Sequence, residues 1–184
     1  MSSKWPKAGP NHVGSYQVSG IPYVTSSASN EVLNADSDSA SDEPVCIEFP
    51  FVTKWLKIRN TGAYELRVGF SARGVFKPGE FLPPSCGGLE KPGDWPRNEG
   101  LHSSTNYFLI PTGSNVIQYG YNGEIQEFDV RCTKVYFLSD APAEATPAKG
   151  TSFSLIAGLT TIPSGSFPPL TGSVGGTRSF EGIG

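Results

Sequence analysis

A chain of 184 residues with a formal net charge of −3 is long enough to bury one hydrophobic core, and it lacks the basic field that attracts nucleic acid. Glycine (22 residues) and proline (16 residues) are abundant, whereas charged residues make up 17%, a composition that favours turns over helices. We therefore predict one domain, no nucleic-acid binding by its core and no transmembrane segment, since no stretch approaches about 18 apolar residues.

The first 43 residues are predicted to form an irregular N-terminal arm. They are mostly Ser, Ala, Asn, Asp and Gly, with isolated apolar residues that cannot form a core. No Lys or Arg lies between Ala8 and Thr53. That span contains the acidic residues Glu31, Asp36, Asp38, Asp42, Glu43 and Glu48. Such a run is either solvated or faces a basic partner.

Residues 45–58 are predicted to form two strands or one bent strand, because β-branched and aromatic residues are concentrated there. Pro50 marks the break, since proline cannot donate a hydrogen bond to a sheet. In the second half, basic residues alternate with Leu56 and Ile58, which places these two on the core side.

A hairpin is predicted around Asn60-Thr61-Gly62, with Gly62 available for a left-handed backbone conformation. The following residues alternate at period two. The alternation places Glu65 and Arg67 in solvent and directs the remaining side chains to the core, namely Tyr64, Leu66, Val68 and Phe70.

Residues 73–104 are predicted to form a long loop insertion rich in proline and glycine. Loops of this length inside a compact domain are uncommon and are usually functional. Strand patterns return at 106–110 and 116–121. Asn122-Gly123 then predicts a tight hairpin turn, because both central positions of a type I′ turn require positive φ.

Further strands are predicted at 125–130, 132–138 and 152–157, followed by a tail of Gly, Ser, Pro and Thr. The pattern amounts to about eight short strands without a long amphipathic helix, which is typical of antiparallel β-sandwiches and jelly rolls. We predict an all-β antiparallel sandwich, a single jelly roll, with its core at 44–159. Long irregular arms are expected at 1–43 and 160–184.

Side chains suited to catalysis or metal binding are sparse. His12 and His102 have no partner at ligand spacing, and neither an HxH nor a GxSxG motif is present. Glu65 and Glu127 are possible glycosidase carboxylates, although exposed strand charges explain them more simply. We therefore expect no enzymatic activity and no cofactor.

The cysteines are Cys46, Cys86 and Cys132, and their odd number and wide spacing argue against a disulfide framework or a zinc site. Cys46 and Cys132 lie in apolar runs, so we predict buried thiols at both positions. Cys86 stands among Pro and Gly and is predicted to be exposed.

Several segments together resemble a known group of viral proteins. They are SGIPYVT at 19–25, EFPFVTKWLKIRNTG at 48–62, LRVGFS at 66–71, NYF at 106–108 and FSLIAGLT at 153–160. The chain resembles the single jelly-roll minor capsid or penton (vertex) proteins of large icosahedral double-stranded DNA viruses over about half of its length. The loop insertion has no counterpart in this resemblance.

The resemblance implies a structural virion protein that is made in the host cytoplasm and assembles with copies of itself, as a pentamer at a vertex, and with other capsid proteins. Polar arms with isolated aromatic residues suit this function, because such arms order by crossing onto neighbours. The candidate arm anchors are Trp5, Tyr23, Phe167 and Phe180.

The alternative is a glycan-binding or receptor-binding β-sandwich, such as a fibre head or a carbohydrate-binding domain. Trp95 favours this alternative because it lies outside any predicted strand, where an exposed ring contacts a sugar or a neighbouring subunit. Both hypotheses stay open at the level of sequence.

Overall fold

The computed structural model describes residues 22–27, 44–77, 106–112, 125–141, 150–166, 170–172 and 178–180. Within them the only helical elements are two 3-10 turns, Arg73–Val75 and Ser164–Ser166. The strands are β1 Pro22–Ser26, β2 Val45–Glu48, β3 Phe51–Asn60, β4 Leu66–Gly69, β5 Tyr107–Ile110, β6 Ile125–Phe128, β7 Lys134–Ser139, β8 Phe153–Pro163, β9 Leu170–Gly172 and β10 Arg178–Phe180.

Two four-stranded antiparallel sheets contain β1 to β8. The first sheet has the strand order β1-β8-β3-β6, and the second has the order β2-β7-β4-β5. Side chains from both sheets share one core, which confirms the predicted all-β antiparallel sandwich. β9 and β10 form a separate two-stranded antiparallel sheet.

The eight strands of the sandwich pair in a nested pattern. β4 pairs with β5, β3 with β6, β2 with β7 and β1 with β8. The chain therefore follows the path of one long hairpin with β4 and β5 at its tip. Two further pairs, β3 with β8 and β4 with β7, join neighbouring parts of this hairpin within each sheet.

The core lies between the two sheets. Phe137 of β7 and Phe153 of β8 stack across the interface, with ring centroids 4.0 Å apart. Burial of an aliphatic side chain contributes roughly 1.5–3 kcal/mol relative to exposure, so the surrounding aliphatic residues dominate the stability. They include Leu56, Ile58, Leu66, Val68, Ile110, Val135 and Leu155. Phe70, which was also predicted to face the core, is half-buried at its margin.

The start of β3 is irregular. Pro50 separates β2 from β3 as predicted, and the pairing of β3 with β8 shifts register on both sides of Thr53. Thr53 is fully buried, and its Oγ1 lies 2.8 Å from the Val130 carbonyl, to which it donates. The same oxygen accepts from the Cys132 N–H at 2.9 Å. One hydroxyl thus satisfies two backbone groups beside the irregularity.

The turn after β3 is organised by the buried side chain of Asn60. Its Nδ2 donates to the Tyr64 carbonyl at 2.7 Å, and its Oδ1 accepts from the Gly62 N–H at 2.9 Å. The Thr151 hydroxyl lies 3.0 Å from the same Oδ1. The amide therefore joins the turn to the residues that precede β8.

Glycine is required in this turn because of close packing. A Cβ on Gly62 would lie 2.0 Å from Thr151 Oγ1 and 2.5 Å from the Ser152 nitrogen. The predicted hairpin is wrong, because β3 and β4 belong to different sheets and do not pair with each other. The predicted left-handed conformation is wrong as well, since Gly62 has a φ outside the left-handed region. What excludes a side chain is the approach of the neighbouring backbone.

The observed core extends beyond its predicted limits at both ends. Residues 22–26, predicted as part of the N-terminal arm, form β1 and pair with β8 along their whole length. Residues 160–163, predicted as part of the C-terminal arm, complete β8, and Ile162 is buried there. Pairing with a distant strand stabilises segments whose local composition does not specify a strand.

Several predicted features lie outside the described residues. They are the Asn122-Gly123 turn, the strand at 116–121, Cys86 and residues 78–104 of the predicted loop insertion.

Candidate interaction surfaces

The outward side of the second sheet is covered by the chain itself. Residues 71–77, which we call the covering segment, follow β4 and include the first 3-10 turn. Val75 and Phe76 of this segment are buried against Tyr136 and Leu138, the residues of β7 that point away from the core. β7 is consequently buried on both sides.

Arg67 lies beneath the covering segment and is 1% exposed. Its Nε donates to Asp140 Oδ1 at 2.7 Å, and its Nη1 donates to the Val75 carbonyl at 3.3 Å. Arg67 Nη2 and Lys77 also form ion pairs with the Asp140 carboxylate. The prediction that Arg67 faces solvent is wrong, because the covering segment adds a second buried layer at that position.

The outward side of the first sheet is without such a cover among the described residues. Val24 is 71% exposed, Ile125 58% and Ile156 38%. Each lies on the side of its strand opposite the core, since side chains alternate along a strand. We call this side the open face; it presents Val24, Trp55, Lys57, Arg59, Ile125, Glu127 and Ile156. Grouped exposed apolar side chains are typical of interaction sites.

Strand register divides the open face into two halves. Val24 is opposite Ile156, Ile156 is opposite Lys57, and Lys57 is opposite Glu127. Lys57 Nζ lies 2.9 Å from the Glu127 carboxylate. β1 and β8 carry no charged residue. The β1 and β8 half is therefore apolar, and the β3 and β6 half carries the charges.

Trp55 occupies the open face opposite Gly158 of β8. A Cβ on Gly158 would lie 2.5 Å from Trp55 Nε1 and 2.6 Å from Cε2, so the indole lies directly on the glycine. Lys57 Nζ is 5.7 Å from the centroid of the indole, close enough for cation–π attraction.

Arg59 is a half-buried cation on the open face, opposite Ile125 on one side and Ser154 on the other. Its Nε is shielded from solvent and has no hydrogen-bond partner. Within the described ranges Arg59 has no ion pair, because the carboxylate of the face, Glu127, is paired with Lys57. A donor that is shielded from solvent and has no acceptor destabilises the folded state. Arg59 is therefore the residue of the open face that a partner with a hydrogen-bond acceptor would stabilise most.

A second apolar region lies where edge strands β5 and β6 of the two sheets meet. Phe108 is 56% exposed and Leu109 45%. The Phe108 ring centroid is 5.1 Å from that of Phe128. Edge strands with exposed apolar side chains are available for further contacts.

Among the predicted contact residues, Tyr23 is the one whose side chain the structure describes. It packs on the core, and its ring meets Phe49 edge-on at a centroid distance of 5.3 Å. Phe180 contributes backbone to β10. Trp5, Trp95 and Phe167 lie outside the described residues. The intersubunit contacts proposed for all five stay predictions.

The alternation of residues in β8 is a signal for the open face that is present in the sequence. Phe153, Leu155 and Ala157 alternate as core residues in β8. The same alternation directs Ile156 outward. An apolar residue at an outward strand position marks a surface that is either covered by its own chain or used in an interaction.

The two described cysteines differ from each other. Cys132 is buried as predicted, whereas Cys46 is exposed, contrary to prediction, because it points outward from the edge strand β2. Burial raises the pKa of the Cys132 thiol from its ordinary 9.0 to about 12, although the hydrogen bond with Thr53 acts in the opposite direction. The described residues contain no group of three or more His, Cys, Asp or Glu side chains that would hold a metal.

No protein-family model, curated protein or solved structure matches this chain. In the part of the chain that the structure describes, no helix is long and apolar enough to cross a membrane.

Proposed function

We propose that this chain is a structural virion protein, a single jelly roll that contributes to an icosahedral shell as a penton or another minor capsid protein. The nested pairing of β1 to β8 is the observation that supports this most strongly. The two strand orders are those obtained when a long antiparallel hairpin folds over into two sheets, as in eight-stranded jelly rolls. The resemblance to capsid proteins includes β3 and β8, the central strands of the first sheet.

The difference between the two outward faces supports assembly. The second sheet buries its outward side under the covering segment, whereas the open face leaves Val24, Ile125 and Ile156 in solvent. Neighbouring copies would shield this apolar surface. Five copies around a vertex would close a ring through one repeated head-to-tail interface. In this proposal the partners are other copies and other capsid proteins, and the chain has neither a catalytic role nor a cofactor.

Sedimentation velocity of the purified protein over a range of concentrations tests the proposal, with electron microscopy of the largest species. We expect a concentration-dependent conversion of monomers into closed rings. A protein that stays monomeric at its highest soluble concentration, and that is missing from purified particles, would contradict the proposal.

A glycan-binding or receptor-binding module is the alternative. The half-exposed indole of Trp55 on the open face favours it, since aromatic rings on a flat sheet provide a surface for stacking sugars. Glycan-array binding that is lost in Trp55→Ala or Trp95→Ala, in a protein that does not assemble, would support this alternative over a shell protein.

A further inference from the structure

The first sheet carries an excess of positive charge within an acidic chain. Lys54, Lys57 and Arg59 are its basic residues, and Glu127 is its acidic residue. Because Glu127 is paired with Lys57, Arg59 is left without a carboxylate among the described residues. A partner that complements the open face has to supply an acidic group next to apolar surface.

The dimensions of the open face limit the kind of partner. Four strands spaced about 4.8 Å apart and about five residues long give a surface on the order of 300–350 Å². A stable interface between two folded proteins buries roughly 800 Å² on each partner. An extended segment of about six residues spans roughly 20 Å and matches the width of the sheet.

The chain itself contains a segment of the required chemistry. Residues 29–43, between β1 and β2, have no Lys or Arg. An apolar pair, Val32-Leu33, follows Glu31 directly. The other acidic residues of the segment are Asp36, Asp38, Asp42 and Glu43. In this segment an apolar pair is followed by acidic residues. On the open face the apolar half likewise lies beside the half that carries Lys57 and Arg59.

We propose that the open face of one copy binds the acidic segment 29–43 of a second copy. Val32 and Leu33 cover the apolar half beside Val24 and Ile156, and a carboxylate of the segment pairs with Arg59. The inference rests on the proposed assembly function and names the surface through which the copies join. Each copy has one face and one segment, so every copy is both donor and acceptor in a closed ring.

Reversal of the charge on the open face tests the proposal. Arg59→Glu is expected to weaken self-association of the full chain about tenfold or more, because it places like charges opposite each other. Arg131→Glu is the matched control: it makes the same charge change at an exposed residue outside the strands and is expected to leave self-association unchanged. Arg59→Gln, with a smaller expected loss, replaces Arg59→Glu if circular dichroism shows that the latter does not fold.

A second variant carries the reciprocal change, Asp36→Lys with Asp38→Lys, and is also expected to lose self-association. An equimolar mixture of this variant with Arg59→Glu is expected to restore most of the association, because both mixed contacts unite opposite charges and a ring of five needs only one contact between two copies of the same variant. If the segment instead binds the open face of its own chain, mixing is expected to restore nothing, because each variant chain still has a segment and a face of like charge. The mixture therefore distinguishes exchange between copies from an intramolecular contact.

Sedimentation velocity of the single proteins and of the mixture separates the outcomes. If the wild type does not associate, the proposed assembly function fails and this inference fails with it. If the wild type associates and both variants associate equally well, assembly stands and the docking surface is wrong. If both variants lose self-association and the mixture does not regain it, the proposed exchange of segments between copies is also wrong.

Discussion

Two glycines set how closely neighbouring parts of the sandwich approach each other. Gly62 brings the turn after β3 against the backbone at Thr151 and Ser152, and Gly158 lets the indole of Trp55 lie on β8. In both cases a methyl group would fall within contact distances that real Cβ atoms do not show. Close packing therefore restricts these positions more than turn chemistry does.

Gly62→Ala is expected to lower the free energy of unfolding by about 1–3 kcal/mol or more, because the added Cβ meets backbone atoms that cannot turn aside. Gly165→Ala is the matched control, since a Cβ there has no atom within 4 Å. Urea denaturation of the two variants measures the difference. Equal stability of the two variants would show that the backbone of the turn shifts to accommodate the added Cβ at little cost in free energy.

Cys132 is expected to make the fold less stable as pH rises above 9. The folded thiol stays protonated up to about pH 12, whereas the unfolded thiol ionises near its ordinary pKa of 9.0, so the unfolded chain loses this proton first. The stabilisation is complete below pH 9 and falls between the two pKa values by about 1.4 kcal/mol per pH unit.

Urea denaturation at about pH 8 and pH 10 compares the wild type with Cys132→Ala. We expect the variant to lose less stability between the two pH values, since it lacks the titrating thiol. Identical losses in the two proteins would mean that Cys132 ionises equally easily in the folded state.

At the scale of elements, the covering segment converts a two-layer sandwich into three layers over β4 and β7. It brings Val75 and Phe76 onto Tyr136 and Leu138, and its Val75 carbonyl accepts a hydrogen bond from Arg67. A buried guanidinium requires a charged partner. The residue immediately after β7, Asp140, supplies it.

Asp140→Ala is expected to destabilise the fold by about 3–5 kcal/mol, because it leaves the Arg67 guanidinium buried without its carboxylate. The double variant Arg67→Met with Asp140→Ala removes both charges and is expected to be more stable than Asp140→Ala. Glu127→Ala is the control, since the exposed Lys57 pair contributes less than about 1 kcal/mol. If thermal unfolding shows that Asp140→Ala and Glu127→Ala destabilise the fold equally, the buried charge network is contradicted.

At the scale of the whole molecule, the nested pairing joins segments that are far apart in the chain. Pro22 pairs with Gly158, and Val45 pairs with Phe137. β1 is an edge strand and the outermost member of the nest, and its contact with the core is made through Tyr23. Its loss would leave the inner pairs intact.

Two truncations test the position of the N-terminal boundary. Removal of residues 1–21 is expected to leave the Tm nearly unchanged, because polar segments with isolated apolar residues contribute little to a core. Removal of residues 1–27 also deletes β1 and is expected to lower the Tm by about 4–8 °C, the shift that a loss of about 2 kcal/mol produces in a domain of this size. Equal Tm values would show that β1 is dispensable.

Local pattern was sufficient to locate β2 to β8 and to give the direction of many side chains, but it did not reveal β1. The alternation around Leu56 and Ile58, the break at Pro50 and the core positions of Leu66 and Val68 all followed from the two-residue period of a strand. These features depend on neighbours in the chain, so one sequence specifies them.

Tertiary structure alone decided which positions are covered. Arg67 is buried because the covering segment lies over it, and its charge is matched by Asp140, a hydrogen-bond partner 73 residues away in the chain. Cys46 is exposed because β2 lies at the edge of its sheet. Pro22–Ser26 is a strand because β8 offers it backbone partners. Burial and edge position depend on which distant segments meet, and the period of a strand carries no information about that.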